Sequence, residues 1–126
     1  MELIHTCYRI GEIDRSVAFY EALGFEERRR MPIRDEAINV FMGLPGDHAA
    51  LELTYNHGVA EYDIGTGYGH IAVGVDDLDG TLAALAGQGS EPEKPPYRPG
   101  GRTEGPRIAF VRDPDGYRIE LIEILN

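Results

Sequence analysis

Apolar and polar positions alternate over residues 3–10 (LIHTCYRI), the period-two signature of a half-buried strand. The period then lengthens. Val17, Phe19, Tyr20 and Leu23 form a helical stripe, with Asp14 placed as its N-cap and Gly24 as its stop. Strands are expected at 25–31, 38–42 and 50–55, with a turn at Leu44-Pro45-Gly46-Asp47 before the last. That order, βαβββ, then returns. Residues 70–75 (HIAVGV) read as a strand, and Asp79 caps a helix that runs through Leu82, Leu85 and Ala86 and ends near 87–89. A Pro/Gly-rich loop, 92–106, leaves room for at most one short strand. Strands at 108–111 and 117–124 flank the turn Asp113-Pro114-Asp115-Gly116.

The two halves align. At an offset of 65, His5 meets His70, Ile10 meets Val75, Ile13 meets Leu78 and Asp14 meets Asp79, and the match continues through Val17 with Leu82 and Gly24 with Gly89. At an offset of 69, Phe41 meets Phe110 and Pro45 meets Pro114. Glu52 and Glu120 lie 68 apart, one residue less, which a changed hairpin turn accounts for. An internal repeat decides the fold. The expectation is α+β: two βαβββ modules in one domain of 126 residues, with module one at about 1–57, a linker at about 58–68 and module two at about 69–126.

Strand alternation assigns the faces. His5, Cys7 and Arg9 point opposite to Ile4, Thr6, Tyr8 and Ile10, while Glu52, Thr54 and Asn56 oppose Leu51, Leu53 and Tyr55. His70 opposes Ile71 and Val73, and Glu120 opposes Ile119 and Leu121. Each His and Glu therefore stands off the apolar face that covers the helices. Any one of them is explained as the wet side of a strand. All four recurring at matching positions point instead to a single metal ion held by two imidazoles and two carboxylates. Such a donor set suits Zn, Ni, Co or Fe, and in an octahedral shell it leaves two positions open, the mark of a catalytic site.

Composition narrows the partners. A net charge of −10 argues against nucleic acid and anionic membranes. The basic run Arg28 to Arg30 reads as a solvated strand or turn face. No stretch approaches the roughly 20 apolar residues of a membrane span, and the N-terminus has neither the basic start nor the apolar length of an export signal. The single cysteine, Cys7, fits a reducing cytosol and reads as a small buried thiol. The expected setting is soluble and cytoplasmic. His48 and His57 read as surface residues, and Gly65-Thr66-Gly67-Tyr68-Gly69 lacks the lysine of a phosphate loop.

Several stretches carry a family resemblance: His5-Thr6-Cys7-Tyr8-Arg9-Ile10, Ser16-Val17-Ala18-Phe19-Tyr20, Leu51-Glu52-Leu53-Thr54-Tyr55-Asn56, Gly65-Thr66-Gly67-Tyr68-Gly69-His70-Ile71-Ala72, and Asp113-Pro114-Asp115-Gly116-Tyr117-Arg118-Ile119-Glu120-Leu121. Together they resemble the lactoylglutathione lyases (glyoxalase I) of the vicinal oxygen chelate superfamily. The resemblance implies the glyoxalase/bleomycin resistance/dioxygenase type of fold, paired across a homodimer. It implies metal ligands His5 and Glu52 from one chain with His70 and Glu120 from the other. Arg9 and Asn56 match positions that hold the glutamyl end of glutathione, the co-substrate. The chain resembles the short bacterial form, which generally prefers Ni or Co to Zn.

The implied reaction isomerises the hemithioacetal of methylglyoxal and glutathione to S-lactoylglutathione through an enediolate, a methylglyoxal detoxification. Glu120 is the expected base and Glu52 its symmetry counterpart. The pattern departs from the family in a shortened loop before residue 50, in His57 where Trp is common, and across 94–107, where Arg98 and Arg102 are both candidates for the thiol's glycyl end. These departures leave open another thiol. A different metal enzyme of the superfamily and a non-catalytic drug-binding protein are the rival readings; the complete four-residue set disfavours both.

Overall fold

The computed structural model describes residues 1–125. The chain divides into two compact units, Met1–Asp63 and Ile64–Asn126. The first holds β1 (His5–Ile10), α1 (Ile13–Ala22), β2 (Glu26–Ile33), β3 (Ala37–Gly43) and β4 (Ala50–Asn56). Its sheet runs β1-β4-β3-β2, with β1 parallel to β4 and the other neighbours antiparallel. The second holds β5 (Ile71–Val75), α2 (Leu78–Ala86), β6 (Ile108–Arg112) and β7 (Arg118–Glu123), in a sheet ordered β5-β7-β6 with β5 parallel to β7. Each unit thus sets its first strand beside its last. The fold is α+β, built on a repeated plan.

The cores follow from the alternation. Tyr8, Ile10, Val40, Met42, Leu51 and Leu53 bury one face of the first sheet, and Phe19, Tyr20 and Leu23 cover it from α1. Ser16 takes the place in that buried stripe expected for Val17, because 16, 19, 20 and 23 follow the helical period. In the second unit Val73, Val75, Ile119 and Leu121 are buried, as are Leu78, Leu82 and Leu85 of α2.

Two caps differ from expectation. Glu12, not Asp14, is the N-cap of α1, and it makes no side-chain capping bond; Asp14 lies in the first turn. Asp77, not Asp79, caps α2, accepting a 2.9 Å bond from the Gly80 N–H. Asp79 is instead recruited by Arg107, at 2.8 Å. The place of β2 in the second unit is filled by a lone antiparallel bridge between Tyr97 and Ile108. Prolines at 92, 95, 96 and 99 lack the N–H that a longer ladder there would need.

Candidate metal centre

The two His–Glu pairs are built the same way. Cys7 pairs with Glu52 across β1 and β4, and Ala72 pairs with Glu120 across β5 and β7. Each His stands two residues before the paired position, hence on the same face and one diagonal step from its Glu. His5 Nε2 lies 3.0 Å from Glu52 Oε2, and His70 Nε2 lies 3.1 Å from Glu120 Oε1. On the antiparallel side the partner of each Glu is a phenylalanine, Phe41 or Phe110. Each imidazole meets that ring edge-on, at 6.0 Å and 5.1 Å. An arginine then covers each ring, Arg29 at 4.5 Å and Arg118 at 3.7 Å.

The donors fit a divalent cation. With bonds of about 2.1 Å, two ligands at right angles lie about 3 Å apart, which is the separation within each pair. Each unit holds one such pair; among the described residues, no group of three or more His, Cys, Asp or Glu gathers where one ion could be held. Both pairs remain open to approach. The histidine side chains are 41% and 36% exposed, their glutamates only 14% and 16%.

A polar string supports the first pair. The Thr54 hydroxyl lies 3.1 Å from Glu52 Oε1 and 2.9 Å from Asn39 Oδ1. Its one proton serves only one of them at a time. Cys7 Sγ sits 3.3 Å from the same hydroxyl. Cys7 is exposed rather than buried, because its position on β1 shares the His5 face. Partial burial of the thiol still pushes its pKa up, against the opposing pull of Thr54, so it stays protonated and is a poor nucleophile.

Farther along the same face, Arg9 Nη1 donates a 2.8 Å hydrogen bond to Asn56 Oδ1. Arg98 and Arg102 are both exposed in the 95–106 loop. They differ in commitment: Arg98 Nε donates to the Gly105 carbonyl at 2.9 Å, tying the loop to itself. His48 is exposed beside Glu2 at 3.5 Å. His57 is exposed and stacks edge-on against Tyr55 at 5.4 Å.

Other residues near the pairs escaped the sequence reading. A hollow of about 560 Å³ opens beside His5 and Glu52, lined also by Ile4, Met31, Phe41 and Arg28. A smaller one of about 300 Å³ is lined by Glu93, Lys94, Tyr97, Phe110 and Arg118. There the Arg118 guanidinium forms a two-pronged bond to Glu93, 2.8 Å on each arm, and holds that carboxyl below its ordinary pKa. Lys94 Nζ lies 3.7 Å from the Tyr97 ring centre. Arg28 donates to the carbonyls of Leu44, Asp47, His48 and Ala49. It is the extra residue of a β-bulge, where the register slips between Glu27 and Arg29. Only that slip, invisible in the sequence, turns its side chain onto the 44–49 turn.

A duplicated α+β unit with one His and one Glu at matching positions defines a paired-module protein with a candidate metal centre. The chain belongs to the Glyoxalase/Bleomycin resistance protein/Dioxygenase superfamily, whose family model matches residues 2–121. It is 45% identical to a probable lactoylglutathione lyase of Vibrio parahaemolyticus, over 96% of this chain and 89% of that one. It is 43% identical to a probable chloroplastic lactoylglutathione lyase of Arabidopsis thaliana, covering 96% of this chain but 35% of that protein. Glyoxalase I from Zea mays superimposes with a TM-score of 0.87 at 37% identity, covering 98% of this chain and 45% of that one. The chain therefore spans less than half the length of these two plant proteins. Among the described residues, no helix is long and apolar enough to cross a membrane.

Proposed function

We propose that this protein is a lactoylglutathione lyase: a metal-dependent enzyme that isomerises the hemithioacetal of methylglyoxal and glutathione to S-lactoylglutathione. The observation that carries the reading is the repeated His–Glu pair, at matching places on the parallel strand pair of each sheet and with the ligand spacing of one ion. Relatives that bear the lyase name at 43–45% identity support it.

His5, Glu52, His70 and Glu120 hold the ion, with Ni or Co preferred to Zn. Each unit presents only half of the set, and the Zea mays relative is about twice as long. We therefore assign the active form as a homodimer in which His5 and Glu52 of one protomer meet His70 and Glu120 of the other. When bound, the divalent cation supplies Lewis-acid stabilisation for negative charge on two adjacent substrate oxygens. The remaining work falls to side chains. Glu120 takes the proton from the carbon next to the carbonyl and returns one to the neighbouring carbon. Arg9 and Asn56 hold the anionic glutamyl end of the thiol, and the basic candidates of the 94–107 segment, Arg98 and Arg102, serve its glycyl end. Having one cysteine, the chain suits a reducing compartment such as the cytoplasm.

An ultraviolet assay of thioester formation tests the reading. Methylglyoxal would be supplied with glutathione, and separately with other small thiols, to protein reconstituted with Ni, Co or Zn. The expected result is thioester growth with at least one pairing, fastest with glutathione and Ni or Co. Absence of thioester with every pairing, from folded and metal-loaded protein, contradicts it.

A further inference from the structure

Asn56 ends β4, and the chain turns there: the Val59 N–H bonds the Asn56 carbonyl at 3.0 Å, with Gly58 at a φ of +82° that favours glycine. The turn folds residues 57–63 back over the end of β1. The approach is close. A Cβ on Gly11 would lie 2.0 Å from the Ala60 carbonyl oxygen, so only glycine leaves that path open. The outcome is that Tyr62, in a stretch that reads as a linker, places its hydroxyl 3.1 Å from Asn56 Oδ1.

Two donors now converge on one atom of Asn56, the Tyr62 hydroxyl and Arg9 Nη1, the latter at 2.8 Å. The atom between two donors has to be the oxygen, whose two lone pairs are then both used. The amide NH₂ is turned to the opposite side. The guanidinium has five N–H donors, so its bond to Asn56 does not exhaust it. Arg9 and Asn56 thereby present donors rather than a mixture of donors and acceptors, the requirement for gripping a carboxylate. Without the hydroxyl, one lone pair of Oδ1 is unfilled and the amide rotates more freely.

We infer that Tyr62 is a positioning residue that locks the Asn56 amide so that Arg9 and Asn56 form an all-donor cradle for a carboxylate of the thiol co-substrate. This rests on the assignment of Arg9 and Asn56 to the glutamyl end. The Tyr62 hydroxyl bonds Asn56 and not one of the four His and Glu residues, so it acts on the recognition of the thiol and leaves turnover alone.

The test is calorimetric binding of an S-alkyl glutathione to the wild type, Tyr62→Phe and Arg9→Met, beside an S-alkyl cysteinylglycine, which lacks the glutamyl residue. Tyr62→Phe keeps the ring, and circular dichroism checks the fold. The expected result is a five- to tenfold weaker affinity of Tyr62→Phe for the glutathione derivative, about one hydrogen bond's worth, with binding of the truncated thiol unchanged. In turnover, KM rises by the same factor and kcat holds. If Arg9→Met weakens the glutathione derivative and Tyr62→Phe does not, the role of Tyr62 is overturned alone. If Tyr62→Phe weakens both thiols equally, its role is structural. If Arg9→Met has no effect, the glutamyl assignment fails and the inference with it.

Discussion

Glu52 and Glu120 occupy equivalent places, yet Glu52 has a hydroxyl and the Cys7 thiol beside it, where Glu120 faces Ile122 and Ala72. Glu52 has Thr54 at 3.1 Å; the matching position in β7 is Ile122, which offers no proton. A carboxylate held by an outer donor is fixed as a ligand, whereas one without it swings more easily. The Glu120 carboxylate has His70 at 3.1 Å and no side-chain hydroxyl beside it two residues on. That asymmetry favours Glu120 as the mobile base. Glu120→Gln should retain metal and lose ~10²–10⁴-fold in kcat, whereas Glu52→Gln should act mainly on metal content. The thioester assay with parallel metal analysis separates the two. Equal kcat loss in both, with metal retained, would mean that they share the proton work. The two His–Glu pairs were legible in the chain because alternation and repetition marked them twice over. The place of Tyr62 was not, since nothing local distinguishes a linker tyrosine from one aimed at Asn56, and neither was the bond by which Arg98 ties its loop to Gly105.

At the level of elements, two arginines hold segments that no propensity would order. Arg28, set out of register by its bulge, ties down the 44–49 turn that leads into β4 and Glu52. Its setting is exposed, so the bonds are discounted for solvent: Arg28→Met should cost about 1 kcal/mol, read by chemical denaturation, with a larger proportional loss in metal affinity because Glu52 follows the turn. Unchanged stability and unchanged metal affinity would mean that the turn holds itself. Arg107 joins Glu123 of β7 at 2.7 Å to Asp79 of α2 at 2.8 Å. Its side-chain bonds, and then its backbone N–H, hold the Glu123 carboxyl below the ordinary glutamate range. A lowered folded pKa means that the unfolded chain binds the proton more readily. The contribution is therefore complete above the ordinary glutamate pKa and is lost as pH falls through the depressed folded value. Glu123→Gln should flatten that part of the acid side of the stability profile while leaving the alkaline side parallel to wild type. An unchanged acid slope would show that the pair carries no linkage. The strands were readable from alternation, but the α2 cap was not: Asp77 and Asp79 are both plausible by type, and Arg107, distant in sequence, pairs with Asp79.

For the whole molecule, duplication is the organising fact. Two sheets of matching plan each bring one imidazole and one carboxylate to about the same distance, and neither completes a centre alone. The account requires the halves to be joined through a second copy of the chain. The direct measurement is complementation. One chain would carry His5→Ala with Glu52→Ala, the other His70→Ala with Glu120→Ala. Each alone should bind no Ni or Co tightly and form no thioester. Co-expressed and purified as the mixed dimer, they should regain one ion per dimer and about half the wild-type turnover, because one of the two centres then has all four donors. A mixed dimer as empty and inert as its parents, or tight metal binding by either parent alone, would contradict the account.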